Sequence, residues 1–134
     1  MVGRLSNNMR ELKFRVWDNK NKKFLPESHF AILGSGKVIV TLSGYYEHFT
    51  NKTQDDYVVQ QYTGLQDSKG NDIYEGDILK ATSDQYDNEN FVGKVIFDEG
   101  CFLTWINKND IREVWSGDDI EVIGNIFENK ELLK

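Results

Sequence analysis

The sequence has little of what disulfide scaffolds, zinc sites or membrane spans are made from. Of its 134 residues only Pro26 is proline and only Cys101 is cysteine, so no internal disulfide can form. No apolar run approaches the roughly 18 residues that a bilayer requires, which removes a transmembrane reading. The opening Met1-Val2-Gly3-Arg4-Leu5-Ser6-Asn7-Asn8 lacks the apolar stretch of a signal peptide, and together with the single thiol this points to the cytoplasm. In that compartment Asn51-Lys52-Thr53 has no meaning as a glycosylation site. His29 and His48 have no cysteine and no His-Glu-x-x-His neighbour to complete a zinc set, so no metal site is expected. An apolar period of 3.6 sustained over ten residues is also missing, which argues against long amphipathic helices.

What is present is enough to fold. Apolar residues make up 39% of the chain and aromatic ones 13%, too much for a disordered chain even with 28% charged residues. A chain of this length buries about 68% of its unfolded surface in one ordinary domain. The net charge of −6 conceals a split: residues 1–60 carry nine Lys and Arg against six Asp and Glu, whereas residues 61–134 carry seven against sixteen. Halves of opposite sign suit the docking of one copy on another, and the basic half also suits phosphate.

The densest stretch is Gln61–Leu79. Leu65–Ile73 brackets Asp67-Ser68-Lys69-Gly70, in which Asp opens a turn and Gly takes the left-handed position that closes it. Glu75-Gly76-Asp77 makes a second corner before Ile78 and Leu79. Gly64, Gly70 and Gly76 fall six residues apart, where a β-chain must twist, turn and bend. Gly64, Asp67, Gly70, Tyr74, Gly76 and Asp77 are therefore read as a structural signature, not as chemistry.

Elsewhere the reading is strand after strand. Residues 1–9 are a polar leader outside the fold. Leu12, Phe14 and Val16 alternate with Lys13, Arg15 and Trp17, the period of a half-buried strand, and Lys23-Phe24-Leu25 returns after the turn 18–22 until Pro26 stops it. Residues 29–33 and 37–42 flank Gly34-Ser35-Gly36; Tyr45–Phe49 is an aromatic run of ambiguous period; residues 51–56 are a polar linker. Tyr57–Tyr62 leads as a strand into the central stretch. Ala81–Asn90 is a long polar loop. Phe91–Phe97 and Cys101–Ile106 form a hairpin around Asp98-Glu99-Gly100. Ile111–Trp115 is a strand or short helix, residues 116–119 are a turn, Ile120–Gly124 is a strand, and residues 128–134 form a helical turn. The expected fold is mainly β, with an SH3-like small barrel in the C-terminal half and an N-terminal β-hairpin lobe; α+β is the alternative. Gly76 and Gly93 are expected at sharp strand bends.

Several of these elements in combination resemble the YopX family: Gln61-Tyr62-Thr63-Gly64-Leu65, Asp67, Gly70, Ile73–Ile78, Gly93–Phe97 and Ile120–Asn129, with Phe14-Arg15-Val16-Trp17-Asp18 similar too. The resemblance covers residues 10–134 and implies one domain, divisible into a β lobe 10–56 and a barrel lobe 57–134. It implies a small protein of phages and prophages in Gram-positive bacteria, and no particular activity. Phe127 stands where the pattern has Tyr, and Lys130 where Pro often follows Asn129.

Candidate chemistry is sparse. Cys101 sits in a predicted strand without a nearby histidine and is read as core. Gly34-Ser35-Gly36-Lys37 lacks the first glycine and the Ser or Thr of a phosphate loop. Asp67–Asp72 begins like a calcium loop, but Lys69 occupies a ligand position, Asp72 the required glycine and Ile78 the bidentate glutamate. The carboxylates Asp67, Asp72, Glu75, Asp77, Asp98 and Glu99 cluster in sequence, yet turns and hairpin ends account for each. No catalytic residue, cofactor or metal is expected, and the chain is read as a non-enzyme. The candidate interaction surface is Lys13, Arg15 and Trp17 on one strand face with Lys20, Lys22 and Lys23 on the adjoining turn, where cations beside an indole suit a nucleic acid strand. A solvated face with Trp17 covering an edge or subunit contact is the plainer reading, because the chain as a whole is acidic. The expected partners are a second copy and a host or phage protein, with nucleic acid the alternative and no membrane.

Overall fold

The computed structural model describes residues 9–41, 50–51, 56–83, 89–114 and 119–133. The expectations for Tyr45–Phe49, Trp115, residues 116–118 and the leader 1–8 lie outside these residues. So do those for the middle of the two polar segments, 52–55 and 84–88.

The chain is mainly β. Its strands are β1 (Phe14–Asp18), β2 (Lys23–Phe24), β3 (Phe30–Ile32), β4 (Val38–Val40), β5 (Thr50–Asn51), β6 (Tyr57–Gln66), β7 (Asp72–Tyr74), β8 (Asp77–Ser83), β9 (Glu89–Asp98), β10 (Cys101–Asn107), β11 (Asp110–Glu113) and β12 (Ile120–Asn125). Two 3₁₀ turns, Glu27–His29 and Lys130–Leu133, complete the described elements. Among the described residues no helix is long and apolar enough to cross a membrane.

The chain divides into two compact units, one of residues 14–61 and one formed by the residues up to Lys13 and from Tyr62 onward. The division falls inside β6, between Gln61 and Tyr62. In the first unit β1 pairs antiparallel with β2 and with the first half of β6, and β4 pairs with β3 and β5. Val16, Val38, Val40 and Tyr57 are buried together, with Leu25, Phe30, Ile32 and Val59 packed against them. The strand expected here is present, but its expected alternation of burial is not: Leu12 and Phe14 are exposed, and Val16, Trp17 and Asp18 are buried in succession. Asp18 tolerates this because Lys20 N and Asn21 N donate to its Oδ1 and Asn21 Nδ2 to its Oδ2. Burial pushes the Asp18 carboxyl up, and these donors outweigh that and hold it below its ordinary value.

The second unit contains a five-stranded antiparallel sheet in the order β11-β10-β9-β8-β12. One face carries the core of Leu79, Ala81, Phe91, Val95 and Ile120, joined by Ile73 of β7, with Leu65, Phe102, Ile106, Val114 and Val122 packed around it. The long polar loop expected over 81–90 is shorter at both ends. Ala81 is fully buried and aligned between Phe91 and Ile120, so β8 continues to Ser83 and β9 begins at Glu89. The β9–β10 connection is also tighter than a three-residue loop. Asp98 pairs with Cys101, leaving only Glu99 and Gly100, at φ 49° and 82°, to turn the chain. Two left-handed residues in succession match the twist of the strands they join.

Gly93 lies inside β9, aligned with Leu79 of β8. A Cβ there would lie 2.8 Å from Thr104 Cγ2 and 2.9 Å from the Trp105 carbonyl oxygen, so the missing side chain makes room for β10 to close over the core. The neighbouring Thr104 is 1% exposed, and its hydroxyl is a buried oxygen without a hydrogen-bond partner. An orphaned hydroxyl in an apolar interior is costly. Thr104→Val is expected to stabilise the protein by about 1 kcal/mol, measured as a raised urea midpoint at unchanged slope.

Candidate functional site

The stretch singled out in the sequence becomes a hinge of backbone and carboxylates. Gly64, Gly70 and Gly76 all take positive φ, at 91°, 82° and 85°, in the roles of twist, turn and bend. At Gly64 the β6–β7 register shifts between Tyr62 and Gln66, and Thr63 mends the gap: its Oγ1 donates to the Ile73 carbonyl at 2.7 Å and accepts from Leu65 N at 3.2 Å. At the second corner Tyr74 N donates to the buried Asp77 carboxylate at 2.8 Å.

Asp67 is the centre of the arrangement. Its Oδ1 accepts from Lys69 N at 2.9 Å and Asn71 N at 2.8 Å, which closes the β6–β7 turn. Its Oδ2 accepts from Asn71 Nδ2 at 3.2 Å and, 55 positions along the chain, from Val122 N at 3.0 Å. Ser68 N adds a bond to the Ile120 carbonyl at 2.9 Å. The turn is thereby stitched along the outer side of β12. Burial pushes the Asp67 carboxyl up, but the donors from Val122, Asn71 and Lys69 together hold it below the usual carboxylate range. Lys69, in a ligand position of the false calcium loop, reaches Glu121 at 2.7 Å instead.

The Asp72 carboxylate is also spoken for. Lys13 Nζ lies 2.6 Å from Asp72 Oδ2 and 4.3 Å from the Tyr62 ring centroid, while Gln66 Nε2 donates to Asp72 Oδ1. The bond from Lys13 lowers the Asp72 carboxyl, and the same bond raises the ammonium. Asp98 and Glu99 flank and form the β9–β10 turn.

The residues of the proposed interaction surface are divided between the two units. Lys13 precedes β1 and belongs with the second unit, whereas Arg15, Trp17, Lys20, Lys22 and Lys23 belong to the first. Trp17 is 3% exposed, with its ring edge-on to Phe24 at 4.9 Å, so it is a core residue and not a platform for a base. Arg15 donates to Gln60 Oε1 at 2.7 Å and lies over the Phe24 ring. Lys20 and Lys22 are exposed on the β1–β2 turn, and Lys23 is exposed at the start of β2. Cys101, read as core, is exposed at the start of β10; its thiol faces the Asp98 carbonyl at 3.4 Å.

The C-terminal segment holds a lock that sequence reasoning missed. Asn125 Oδ1 accepts from Phe127 N and Glu128 N, Asn125 N donates to Asn129 Oδ1 at 3.1 Å, and the Asn129 side chain occupies the space a Cβ on Gly124 would need. The signal was available as two asparagines four apart, directly after a glycine in a strand.

The sequence matches the YopX protein family over residues 13–134. The chain belongs to the YopX family. The crystal structure of protein EF1440 from Enterococcus faecalis is similar to it, with a TM-score of 0.58 at 27% sequence identity, covering 94% of this chain and 100% of that one. No curated protein matches. Within the family match lie the Asp67 turn, the Gly93 close approach and the Asn125–Asn129 lock.

Proposed function

We propose that this YopX-family chain is a phage or prophage accessory protein, cytoplasmic in its bacterial host, that acts as a non-enzymatic, self-associating protein-interaction module. The observation that carries the reading is the exposure of large apolar side chains on ordered strands: Phe97 at the end of β9 is 54% exposed and Ile111 in β11 is 49% exposed. Side chains of this kind gain most by being covered. The carboxylates Asp67 and Asp72, by contrast, are engaged in holding turns and ion pairs, which supports a non-catalytic role. A host or phage protein would cover the same side chains. Light scattering across concentration and salt tests the proposal. A concentration-dependent rise in mass is expected, and a strict monomer under every condition would overturn it.

A second reading, nucleic-acid binding, is favoured by one observation, the three exposed lysines of the β1–β2 hairpin, Lys20, Lys22 and Lys23. It requires binding to single strands at low salt that weakens steeply as salt rises, with the slope reduced by about one per lysine in a Lys22→Glu, Lys23→Glu chain. Absence of binding at low salt eliminates it.

A further inference from the structure

The five-stranded sheet has two edges, and the structure treats them differently. At β12 the Asp67 turn takes up the edge, through Val122 N to Asp67 Oδ2 at 3.0 Å and Ser68 N to Ile120 O at 2.9 Å. At the opposite edge β11 is paired, among the described strands, with β10 alone. An edge strand is a template for pairing with a further strand.

The residues of β11 specify what that strand would be. Asp110-Ile111-Arg112-Glu113 alternates in exposure, with Ile111 and Glu113 open and Asp110 and Arg112 half-buried. Laid antiparallel against itself with Ile111 facing Ile111, the strand sets each Asp110 opposite the other copy's Arg112, and Glu113 opposite the neutral Asn109. Shifted by one residue it would set Asp110 against Glu113 and Ile111 against Arg112, two like charges and an apolar residue against a cation. Of these two registers the first is the one complementary in charge. It also extends a row already built on the sheet. Lys94 is aligned with Trp105 and holds its ammonium 4.8 Å from that ring, and Trp105 is aligned with Ile111. Across the join the row continues as Trp105, Ile111, then Ile111 and Trp105 of the second copy.

We propose that β11 is the surface through which two copies of this chain associate, as one continuous antiparallel sheet about a two-fold axis at Ile111. This rests on the self-association proposed above and assigns it to one edge. Asp110 and Arg112, whose side chains already meet at 2.9 Å within one chain, form a four-membered alternating network in the dimer. The arrangement is isologous and closes at two copies.

Sedimentation velocity on the full chain, with circular dichroism as the check on folding, tests the edge. Ile111→Lys places two ammonium groups on the axis and is expected to leave only monomer. Arg112→Asp turns two attractions into repulsions and should weaken association about tenfold, and Asp110→Arg combined with Arg112→Asp should restore it to within about threefold. Cross-linking gives a readout that survives if a charge variant misfolds. In a Cys101→Ser chain, Ile111→Cys should form a disulfide-linked dimer under mild oxidation, because directly facing residues lie about 4.5–5.5 Å apart at Cα. Glu113→Cys should not, since its two copies are offset by about 13 Å along the strands. A dimer whose affinity none of these substitutions changes, or an Ile111→Cys chain that does not cross-link while the oligomer persists, overturns the edge and leaves self-association standing. A chain that is monomeric throughout overturns both.

Discussion

Replacing Asp67 with alanine should cost about 3–4 kcal/mol of folding stability. The carboxylate is buried and serves four donors, three of them backbone amides, and removal strands all of them. Asp67→Asn keeps one acceptor oxygen but sets an amide donor toward amide donors, so it should recover less than half of the loss. The charge also has a pH consequence. Because the folded carboxyl titrates below its unfolded value, near 4 for an aspartate, its contribution is fully present above that pH. It is lost as pH falls through the folded value. Urea midpoints measured from pH 7 down to pH 3 should therefore fall in the native chain and fall less steeply in Asp67→Ala. Equal slopes in the two chains would show that Asp67 is not a main source of the acid sensitivity.

The second large effect is expected at Gly93, where alanine should cost about 2–3 kcal/mol. Its added methyl meets the Trp105 carbonyl oxygen at 2.9 Å, a backbone atom of the paired strand that can move only by loosening the β9–β10 ladder, besides Thr104 Cγ2 at 2.8 Å and Ile106 Cγ1 at 3.1 Å. Gly64 provides the contrast. It has φ +91° and nothing within 4 Å of an added Cβ, so Gly64→Ala carries only the left-handed strain, about 1 kcal/mol. Chemical denaturation followed by tryptophan fluorescence distinguishes crowding from backbone strain by the order of the two midpoints. If Gly64→Ala were the more damaging, the close-approach account of Gly93 would fail.

These two residues also mark what the sequence makes legible. Turn chemistry is local, so Asp67-Ser68-Lys69-Gly70, the corner at Gly76 and the β9–β10 hairpin could be placed from neighbouring residues alone. The reach of Asp67 to Val122 could not, because nothing within a few positions of either residue names the other. Gly93 was legible as a special position, but the close approach of Thr104, Trp105 and Ile106 was not, because those residues lie on a facing strand that the local sequence does not name. Trp17 shows the same limit from the other side. Two-residue alternation assigns it the face of Lys13 and Arg15, but Val16, Trp17 and Asp18 are buried in succession, Val16 in the cluster with Val38, Val40 and Tyr57 and Trp17 against Phe24. Cys101 errs in the opposite direction: its strand was correctly placed, but it opens that strand at a hairpin end, where the core no longer reaches. The mainly β character survived all of these because turn signals and apolar runs of strand length recur throughout the chain. Trp17 is buried while Lys20, Lys22 and Lys23 are exposed, since exposure of a side chain depends on what packs against it in the fold.

The 55 positions between Asp67 and Val122 have one more consequence, for the order in which a ribosome makes the chain. The buried cluster of the first unit and the residues packed on it are all drawn from residues 16–59, so everything it needs has been synthesised by the middle of the chain. The other cluster draws on Leu65, Ile73 and Leu79 but also on Ile120 and Val122. Its central carboxylate waits for an amide that is translated more than fifty codons later. The first core can close while the second is still being made, and the nascent chain must carry an incomplete sheet through that interval.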